Sequence, residues 1–313
     1  MLEQQGLGET DLLELCQVQA LVRAVGACVG VLDAGDENGG LREGLGELRD
    51  EREEGAHRIV VAVGGSGVND GGAGLLCALG VGDPTRLARG GGALHEMAED
   101  TLTGIEEARG LLRGVEVVVA TEEMLPLLGF DGTSALDSPT RGASVEQSQA
   151  LEAALGRFHE VVTRAVPPAH DLLTGLPRRV DREPGAGAGG GLGYALLTLG
   201  ARVESAVGVV QQAWQLDDLL DRHDLVLTGE GCFDWTSLRG GVVAAIAGQA
   251  AARTLPTVVL AGEVTVGRRE TMALGVSGVY AVAERQADAA DLQLDPVGSL
   301  TARAARVAGT WSP

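Results

Sequence analysis

The sequence predicts an α/β protein made of two α/β domains, and three observations support this prediction. Short β-branched runs alternate with segments of helical periodicity along most of the chain, which is typical of parallel α/β layers. The chain has 313 residues, which is longer than one ordinary domain. Hydrophobic residues make up 45% of the sequence, enough to fill more than one core.

Five strands are predicted because β-branched runs lie between turn residues at 59–63, 115–120, 224–228, 256–262 and 276–282. Helical spacing predicts helices at 73–79, 144–166, 194–199, 203–220 and 242–251, and a helix with a break at 94–112. Two earlier segments, 10–33 and 41–54, also have helical spacing, and the first runs into an apolar piece at 29–32. Residues 126–142 are rich in turn formers and are predicted to be a loop.

The composition narrows the class of protein. All 24 basic residues other than histidine are arginines, against 44 acidic residues, and the net charge of −20 argues against nucleic acid or an anionic membrane as partner. The N-terminus lacks the pattern of a signal peptide, so we expect a cytoplasmic protein. The four cysteines have no C-x-x-C spacing, and we expect reduced, mostly buried thiols at Cys16, Cys28, Cys77 and Cys232.

The central stretch is residues 59–80, where a buried strand, a glycine turn and a helix start follow one another. Unpaired backbone N–H groups at such a turn form an anion site, and the polar side chains suggest metal binding or proton transfer at Asp70. The stretch fits neither the P-loop nor the dinucleotide pattern. A tight turn without a ligand is the open alternative. The candidate residues are Gly64, Gly65, Ser66, Asn69, Asp70, Gly71 and Gly72.

Other polar positions follow later strands. Glu122 and Glu123 come after the second predicted strand, where the carboxyl ends of α/β strands usually bind ligands. Glu230 and Asp234 follow the third strand and are either a magnesium or hydroxyl pair or a capped turn, with Asp234 capping a helix that begins near Ser237.

Two further features leave alternatives open. Residues 184–193 are dense in glycine and are either a flexible linker or a second helix start that exposes its amides. We expect His159 to be a surface or capped histidine rather than a catalytic base.

Four motifs in this order resemble the glycerate kinase family, which phosphorylates D-glycerate: GGSGVNDGGAG at 64–74, GAGAGGGLG at 185–193, DLVLTGEGCFDWTSLRG at 224–240 and VVLAGEV at 258–264. The resemblance covers roughly residues 40–313. It implies ATP- and Mg²⁺-dependent phosphoryl transfer to a glycerate hydroxyl, with the active site between two domains. Residues 1–56 and 222–313 would form a Rossmann-like or flavodoxin-like domain, and 57–221 a distinct inserted α/β domain. A homodimer is left open.

The resemblance also implies site residues. Asp70 and Asp234 would be catalytic, and Glu230 and Asp234 would hold the metal. The substrate or phosphate would be bound by Gly64, Gly65, Ser66, Asn69, Gly71, Gly72, Gly189, Gly190, Gly229, Glu230, Gly231 and Arg239.

The sequence also departs from the family pattern. The family's P-D-S-F-K-G-S and A-D-G-G-E-G segments are absent, so we expect an N-terminally short, divergent member. Residue 241 is a glycine, Gly241, whereas the family has a lysine at this position. A working kinase, a degenerate or truncated relative that binds glycerate or nucleotide with little turnover, and another carboxylate-binding α/β protein are the three functional hypotheses.

Overall fold

A computed structural model describes residues 29–33, 57–64, 67–98, 101–170, 173–238, 240–284 and 292–311. The chain forms two compact units, which divide between Val209 and Val210. Each unit contains a parallel sheet with helices, so the predicted α/β class is confirmed.

The first unit is built on a four-stranded parallel sheet in the order β1-β2-β3-β4. Its central strands β2 and β3 are β-branched and buried on both faces, as parallel strands covered by helices should be. Both confirm predicted strands. The four strands are β1 Val29–Asp33, β2 Arg58–Ala62, β3 Glu116–Ala120 and β4 Arg202–Glu204.

Helices cover this sheet and share one large apolar core that contains Leu76, Phe158 and Tyr194. The longest helix is held at its start by a capping box, in which the side chains of Ser144 and Gln147 each accept the other residue's backbone N–H. The helices are α1 Ala73–Ala78, α2 Pro84–Leu87, α3 Ile105–Leu111, α4 Thr133–Thr140, α5 Val145–Ala165 and α6 Ala188–Thr198, with 3₁₀ turns at Gly91–Glu96 and Val180–Arg182.

Two segments of the chain differ from the prediction. Residues 126–142 are not all loop, because α4 forms there with Pro139 near its C-terminal end, where the missing N–H removes only one intrahelical bond. Residues 203–220 are not one helix: β4 pairs with β3 at its start, and α7 Ala206–Ala213 and α8 Leu216–Leu220 follow. The left-handed backbone of Gln215, with φ of 51°, interrupts the helix between them.

The second unit contains a three-stranded parallel sheet in the order β5-β6-β7. These strands confirm the three predicted in this part of the chain, and Phe233 and Val259 lie in the small core beside them. The elements after α8 are β5 Val226–Phe233, α9 Gly241–Ala252, β6 Thr257–Val264, α10 Arg268–Ala273, β7 Val276–Ala281 and α11 Pro296–Trp311.

The predicted boundary between 221 and 222 lies after the structural one, and residues 29–33 pair with β2 in the sheet of the first unit. Most of 1–56 lies outside the described residues, so the grouping of that segment with 222–313 stays a prediction. The helical patterns at 10–28 and 41–54, with Cys16 and Cys28, also lie outside them.

The described cysteines fit the prediction only partly. Cys77 is half-buried, whereas Cys232 is exposed, so the expectation of a buried thiol is wrong for Cys232. Across the described part of the chain, the helices are too short or too polar to cross a membrane.

His159 on α5 is part of a partly buried polar network rather than a surface histidine. Its Nδ1 lies 2.8 Å from the Tyr194 hydroxyl, and its Nε2 lies 3.6 Å from Asp181 Oδ1. Arg179 donates two hydrogen bonds to the buried Asp181 carboxylate. Burial lowers the pKa of His159 and outweighs the opposing effect of the Asp181 charge.

We expect this histidine to weaken the fold on acidification. Because its pKa is lowered in the folded state, the unfolded chain takes up the proton first as the pH falls through about 6.5, and stability is lost there. The melting temperature of the wild type should fall by a few degrees more than that of His159→Gln between pH 7 and pH 5. Asp181 titrates below this window, because its own pKa is lowered. Parallel pH profiles for the two proteins would contradict the assignment.

Candidate functional site

The candidate site of the first unit begins where β2 ends. The backbone N–H of Val63 donates to the carbonyl of Ala120 at 2.9 Å, which keeps the chain beside β3 as it leaves the sheet. Gly64 and Gly67 are exposed. Gly65 and Ser66 lie outside the described residues, so their predicted roles rest on the sequence. The exposed glycines lie at the carboxyl end of a parallel strand, where ligands of α/β proteins bind.

Asp70 is buried at the start of α1, with 7% of its surface exposed. Its Oδ1 accepts the N–H of Gly72 at 2.8 Å, and its Oδ2 accepts the N–H of Gly74 at 3.0 Å. Burial raises the pKa of this carboxyl, and the two backbone hydrogen bonds oppose the rise. Asp70 therefore holds the first turn of the helix, and its catalytic role stays a prediction.

The amides at this helix start are engaged within the protein. Besides the two that Asp70 accepts, the N–H of Gly71 donates to the carbonyl of Gly190 at 2.9 Å. The prediction of unpaired amides is therefore wrong for Gly71, Gly72 and Gly74. Asp70 competes with any bound anion for these donors, because an aspartate just before a helix accepts N–H groups of the helix's first turn.

The second glycine-rich segment is buried and opens α6, which excludes a flexible linker. The N–H of Gly189 donates to Glu123 Oε2 at 2.9 Å, and Gly190 lies directly against the backbone of Val68. This segment therefore forms the support on which the loop after β2 rests. The binding roles of Gly189 and Gly190 stay predictions.

Asn69 is directed at α4 rather than into open solvent. Its Nδ2 donates to the hydroxyls of Ser134 and Ser138 at 3.3 and 3.2 Å. Both serines are buried and lie four residues apart, which places them on one face of the helix. These serines were not predicted because the segment was predicted to be a loop, although their i, i+4 spacing was a usable signal.

A second polar group borders the exposed loop. Glu123 lies beside Gly64, since a Cβ added to that glycine would be 3.7 Å from Glu123 Oε1. On α4, burial and the Glu123 charge raise the pKa of Asp137, whereas Arg141, 3.7 Å away, lowers it. Asp137 is therefore close enough to Glu123, the carboxylate beside the loop, for their charges to interact. Asp137 was not predicted.

Glu122 has a structural role that the sequence did not show. Its Oε1 accepts the hydroxyl of Ser205 at 2.7 Å and the N–H of Val207 at 3.0 Å, at the start of α7. Of the two carboxylates predicted at this strand end, Glu123 is therefore the one beside the loop.

In the second unit, Gly229, Glu230 and Gly231 lie within β5 rather than in a turn after it. Gly229 packs on the backbone of Leu260 in the next strand, where a Cβ would be 2.1 Å from the carbonyl oxygen. The Oε1 atom of Glu230 is buried and accepts no hydrogen bond from the residues that the structure describes. A buried carboxylate oxygen without a partner is costly unless a cation or a donor binds to it.

Asp234 follows β5 and holds a tight turn. Its Oδ1 accepts the N–H of Thr236 at 2.7 Å and the N–H of Ser237 at 3.4 Å, and its own N–H donates to Ser237 Oγ. The prediction that it caps a helix from Ser237 is wrong, because α9 begins only at Gly241. Its metal-binding role stays a prediction. Arg239 lies outside the described residues.

The end of β5 is negatively charged. Desolvation raises the pKa of the exposed Cys232 thiol, and the charges of Asp234, Glu263 and Glu230 add to the rise. In the described ranges, no group of three or more His, Cys, Asp or Glu side chains is placed to hold a metal ion. A magnesium site here would therefore need water and phosphate oxygens beside one or two carboxylates, which is the usual way that proteins bind this ion.

Comparisons with known proteins agree with these motifs. The sequence profile of the glycerate kinase family matches residues 40–312. An uncharacterised protein of Mycobacterium tuberculosis is 34% identical over 254 residues, which cover 81% of this chain and 58% of that protein. The glycerate 2-kinase of Escherichia coli is 33% identical over 245 residues, or 76% of this chain and 61% of that enzyme.

A solved structure is also similar. The crystal structure of a candidate glycerate kinase 2 from Salmonella typhimurium LT2 superposes with a TM-score of 0.57 at 26% identity, covering 87% of this chain and 70% of that one.

Parallel α/β sheets with glycine-built loops at the strand ends define the broad class of this protein. Within it, the chain belongs to the glycerate kinase family. It spans about three fifths of the length of the M. tuberculosis and E. coli relatives, at 58% and 61%.

Proposed function

We propose that the protein is an ATP-dependent glycerate kinase, which transfers a phosphoryl group to a hydroxyl of D-glycerate. The observation that carries the proposal is the family match over residues 40–312, which includes all four motifs in order. ATP as donor would place this reaction in the cytoplasm. Phosphoryl transfer requires positioning and charge neutralisation more than covalent chemistry from the protein, and the proposed residues supply groups of that kind.

In this proposal each unit contributes its own groups. The exposed loop with Gly64 and Gly67 would bind an anionic group, and Asp70 would orient or deprotonate the acceptor hydroxyl. Glu230 fits an Mg²⁺ ligand, because its Oε1 is buried without a hydrogen bond. Asp234 would be the second carboxylate. The ion would neutralise charge on the phosphates.

A degenerate relative that binds ligands with little turnover is the second candidate. Two observations favour it. The backbone N–H groups of Gly71, Gly72 and Gly74 already donate hydrogen bonds within the protein. They can therefore bind a phosphate only if these hydrogen bonds break first. The chain also contains no lysine, and glycine occupies the position of the family's lysine at Gly241.

The first experiment measures ADP release by the purified protein with ATP, Mg²⁺ and D-glycerate, against a reaction without glycerate. Turnover that depends on glycerate supports the kinase. If turnover is absent and either ligand still raises the melting temperature, the degenerate binder is correct. If neither ligand has any effect, both candidates are wrong.

We expect Gly241→Lys to raise kcat about tenfold or more if the missing cation limits the reaction, because a fixed positive charge can stabilise the transferring phosphoryl group by several kcal/mol. The site has room among the described residues, since a Cβ there meets none of their heavy atoms within 4 Å. Its φ of +83° is the left-handed region, so any side chain costs about 1–2 kcal/mol of stability.

Gly241→Ala is the matched control, because it carries the same backbone strain without the charge. Steady-state kinetics of both variants separate the two effects. A rate gain in the lysine variant alone assigns the gain to charge. Equal rates in both variants would show that turnover is not limited by the lack of a cation at this position.

A further inference from the structure

A cavity of about 250 Å³ lies at the C-terminal ends of α5 and α6, within the first unit. Its apolar lining includes Pro167, Pro168, Val180 and Leu197. None of these four residues is fully buried, so their apolar surface is accessible to a ligand. Because a cavity of about 150 Å³ can hold a benzene molecule, this one has room for such a ring with a short polar chain.

The charged residues that line this cavity are arginines. Arg109, Arg178 and Arg179 belong to the lining, whereas no Asp or Glu of the described residues does. Their side chains are 40%, 54% and 59% exposed, so the guanidinium groups are accessible. Three arginines around one cavity are a local exception in a chain with a net charge of −20.

Each of these arginines keeps hydrogen-bond donors that its ion pair does not use. Arg178 donates through Nη2 to Glu183 at 2.5 Å, and Arg109 donates through Nη1 to Glu106 at 3.0 Å. A guanidinium group has five N–H donors. Within the described part of the chain, the Nε and Nη1 atoms of Arg178 and the Nε and Nη2 atoms of Arg109 therefore stay available for a ligand.

The groups that oppose an anion at this cavity are weaker than the arginines. The helices α5 and α6 end here, and a helix C-terminus carries about half a negative charge. Two such ends amount to less charge than three guanidinium groups. The partner carboxylates Glu106, Glu183 and Asp181 do not line the cavity, so a ligand there meets N–H donors. A cationic ligand would be repelled by the arginines.

We propose that this cavity binds a small apolar carboxylate. The carboxylate group accepts charge-assisted hydrogen bonds from Arg109 and Arg178, and the apolar part packs against Pro168 and Leu197. The site is separate from the loop after β2, because that loop rests on Gly190 at the start of α6, whereas the cavity lies at the end of the same helix.

The test titrates the full chain with phenylacetate by ligand-observed NMR, without ATP or glycerate, so that the result is independent of kinase activity. Phenylacetamide has nearly the same shape without the charge, and acetate has the charge without the apolar ring. We expect phenylacetate to bind with a Kd at least about tenfold below that of either analogue. Equal binding of phenylacetamide or of acetate, or no binding of phenylacetate, overturns the proposal.

Variants locate the site. Arg178→Gln and Arg109→Gln change exposed side chains, so both proteins should fold normally, and each should raise the Kd of phenylacetate about tenfold or more. Arg89→Gln is the matched control, because Arg89 is an exposed arginine that pairs with Glu96 at 3.1 Å and does not line the cavity. Its Kd should equal that of the wild type. An unchanged Kd in both Arg178→Gln and Arg109→Gln would show that phenylacetate binds elsewhere and would overturn the proposal.

Discussion

Gly190→Ala is expected to cost the first unit at least about 4 kcal/mol of unfolding free energy, which is a large part of the roughly 5–15 kcal/mol by which native proteins are stable. A Cβ at this position would lie 1.7 Å from the carbonyl oxygen of Val68 and 2.8 Å from the Cα of Asn69. Its φ of +66° adds strain for any residue with a Cβ. The opposing atoms are backbone, and the hydrogen bond from Gly71 N–H to the Gly190 carbonyl holds the two segments together, so neither can withdraw cheaply.

Hydrogen exchange of the β2 amides, followed with increasing denaturant, measures this effect. All three tryptophans, Trp214, Trp235 and Trp311, follow Val209, so a probe inside the first unit is used instead of their fluorescence. Gly156→Ala is the control. It lies within α5 with no heavy atom near its Cβ position, so alanine should stabilise the helix by about 1 kcal/mol. If Gly190→Ala unfolds at the same denaturant concentration as the wild type, the close contact with Val68 does not exist.

This contact shows what the sequence could and could not predict. The strands β2, β3 and β6 were predictable because β-branched runs between turn residues have few alternatives to a buried parallel strand. The glycine loop after β2 was also recognisable as the main candidate for a functional motif. Its hydrogen bonds were not, because the partner of Gly71 is Gly190, more than a hundred residues away, and local patterns contain no information about such pairs.

The remaining errors have local causes. Pro139 and the turn formers around it hid α4, and with it the buried Ser134 and Ser138 that hold Asn69. The strand β4 has only three residues, too few for alternation to distinguish it from the helix that follows. Glu122 and Glu123 are adjacent and chemically alike, yet one caps α7 and the other faces the loop. Only the three-dimensional structure separates these two roles.

Asp70→Asn is expected to lower kcat at least about 100-fold if the protein is a glycerate kinase and Asp70 acts on the acceptor hydroxyl. Each carboxylate oxygen accepts one backbone N–H and keeps a second lone pair, so the capping bonds do not prevent proton transfer. Burial raises the pKa of this carboxyl, which makes it a better base than an exposed aspartate. Asparagine has almost the same shape but cannot accept a proton.

The same substitution also has a structural cost, which must be separated from the catalytic one. The asparagine carbonyl can still accept one N–H, but its amide nitrogen then faces the other donor, and we expect a loss of about 1–2 kcal/mol in unfolding free energy. Asp83→Asn is the matched control. Asp83 caps α2 by accepting the N–H of Thr85 at 2.8 Å, is exposed, and has no proposed role in the reaction. Its kcat should stay at the wild-type value.

Measuring kcat and the unfolding free energy on each variant decides between the two roles of Asp70. A large loss of kcat in a protein that remains folded at the assay temperature assigns Asp70 to the reaction. Wild-type kcat with reduced stability would make it a helix cap alone. The pH dependence gives an independent check. Because folding raises the pKa of Asp70 above its ordinary value of 3.8, its contribution to stability becomes more favourable as the pH falls through the raised pKa towards 3.8, and Asp70→Asn should lack this gain.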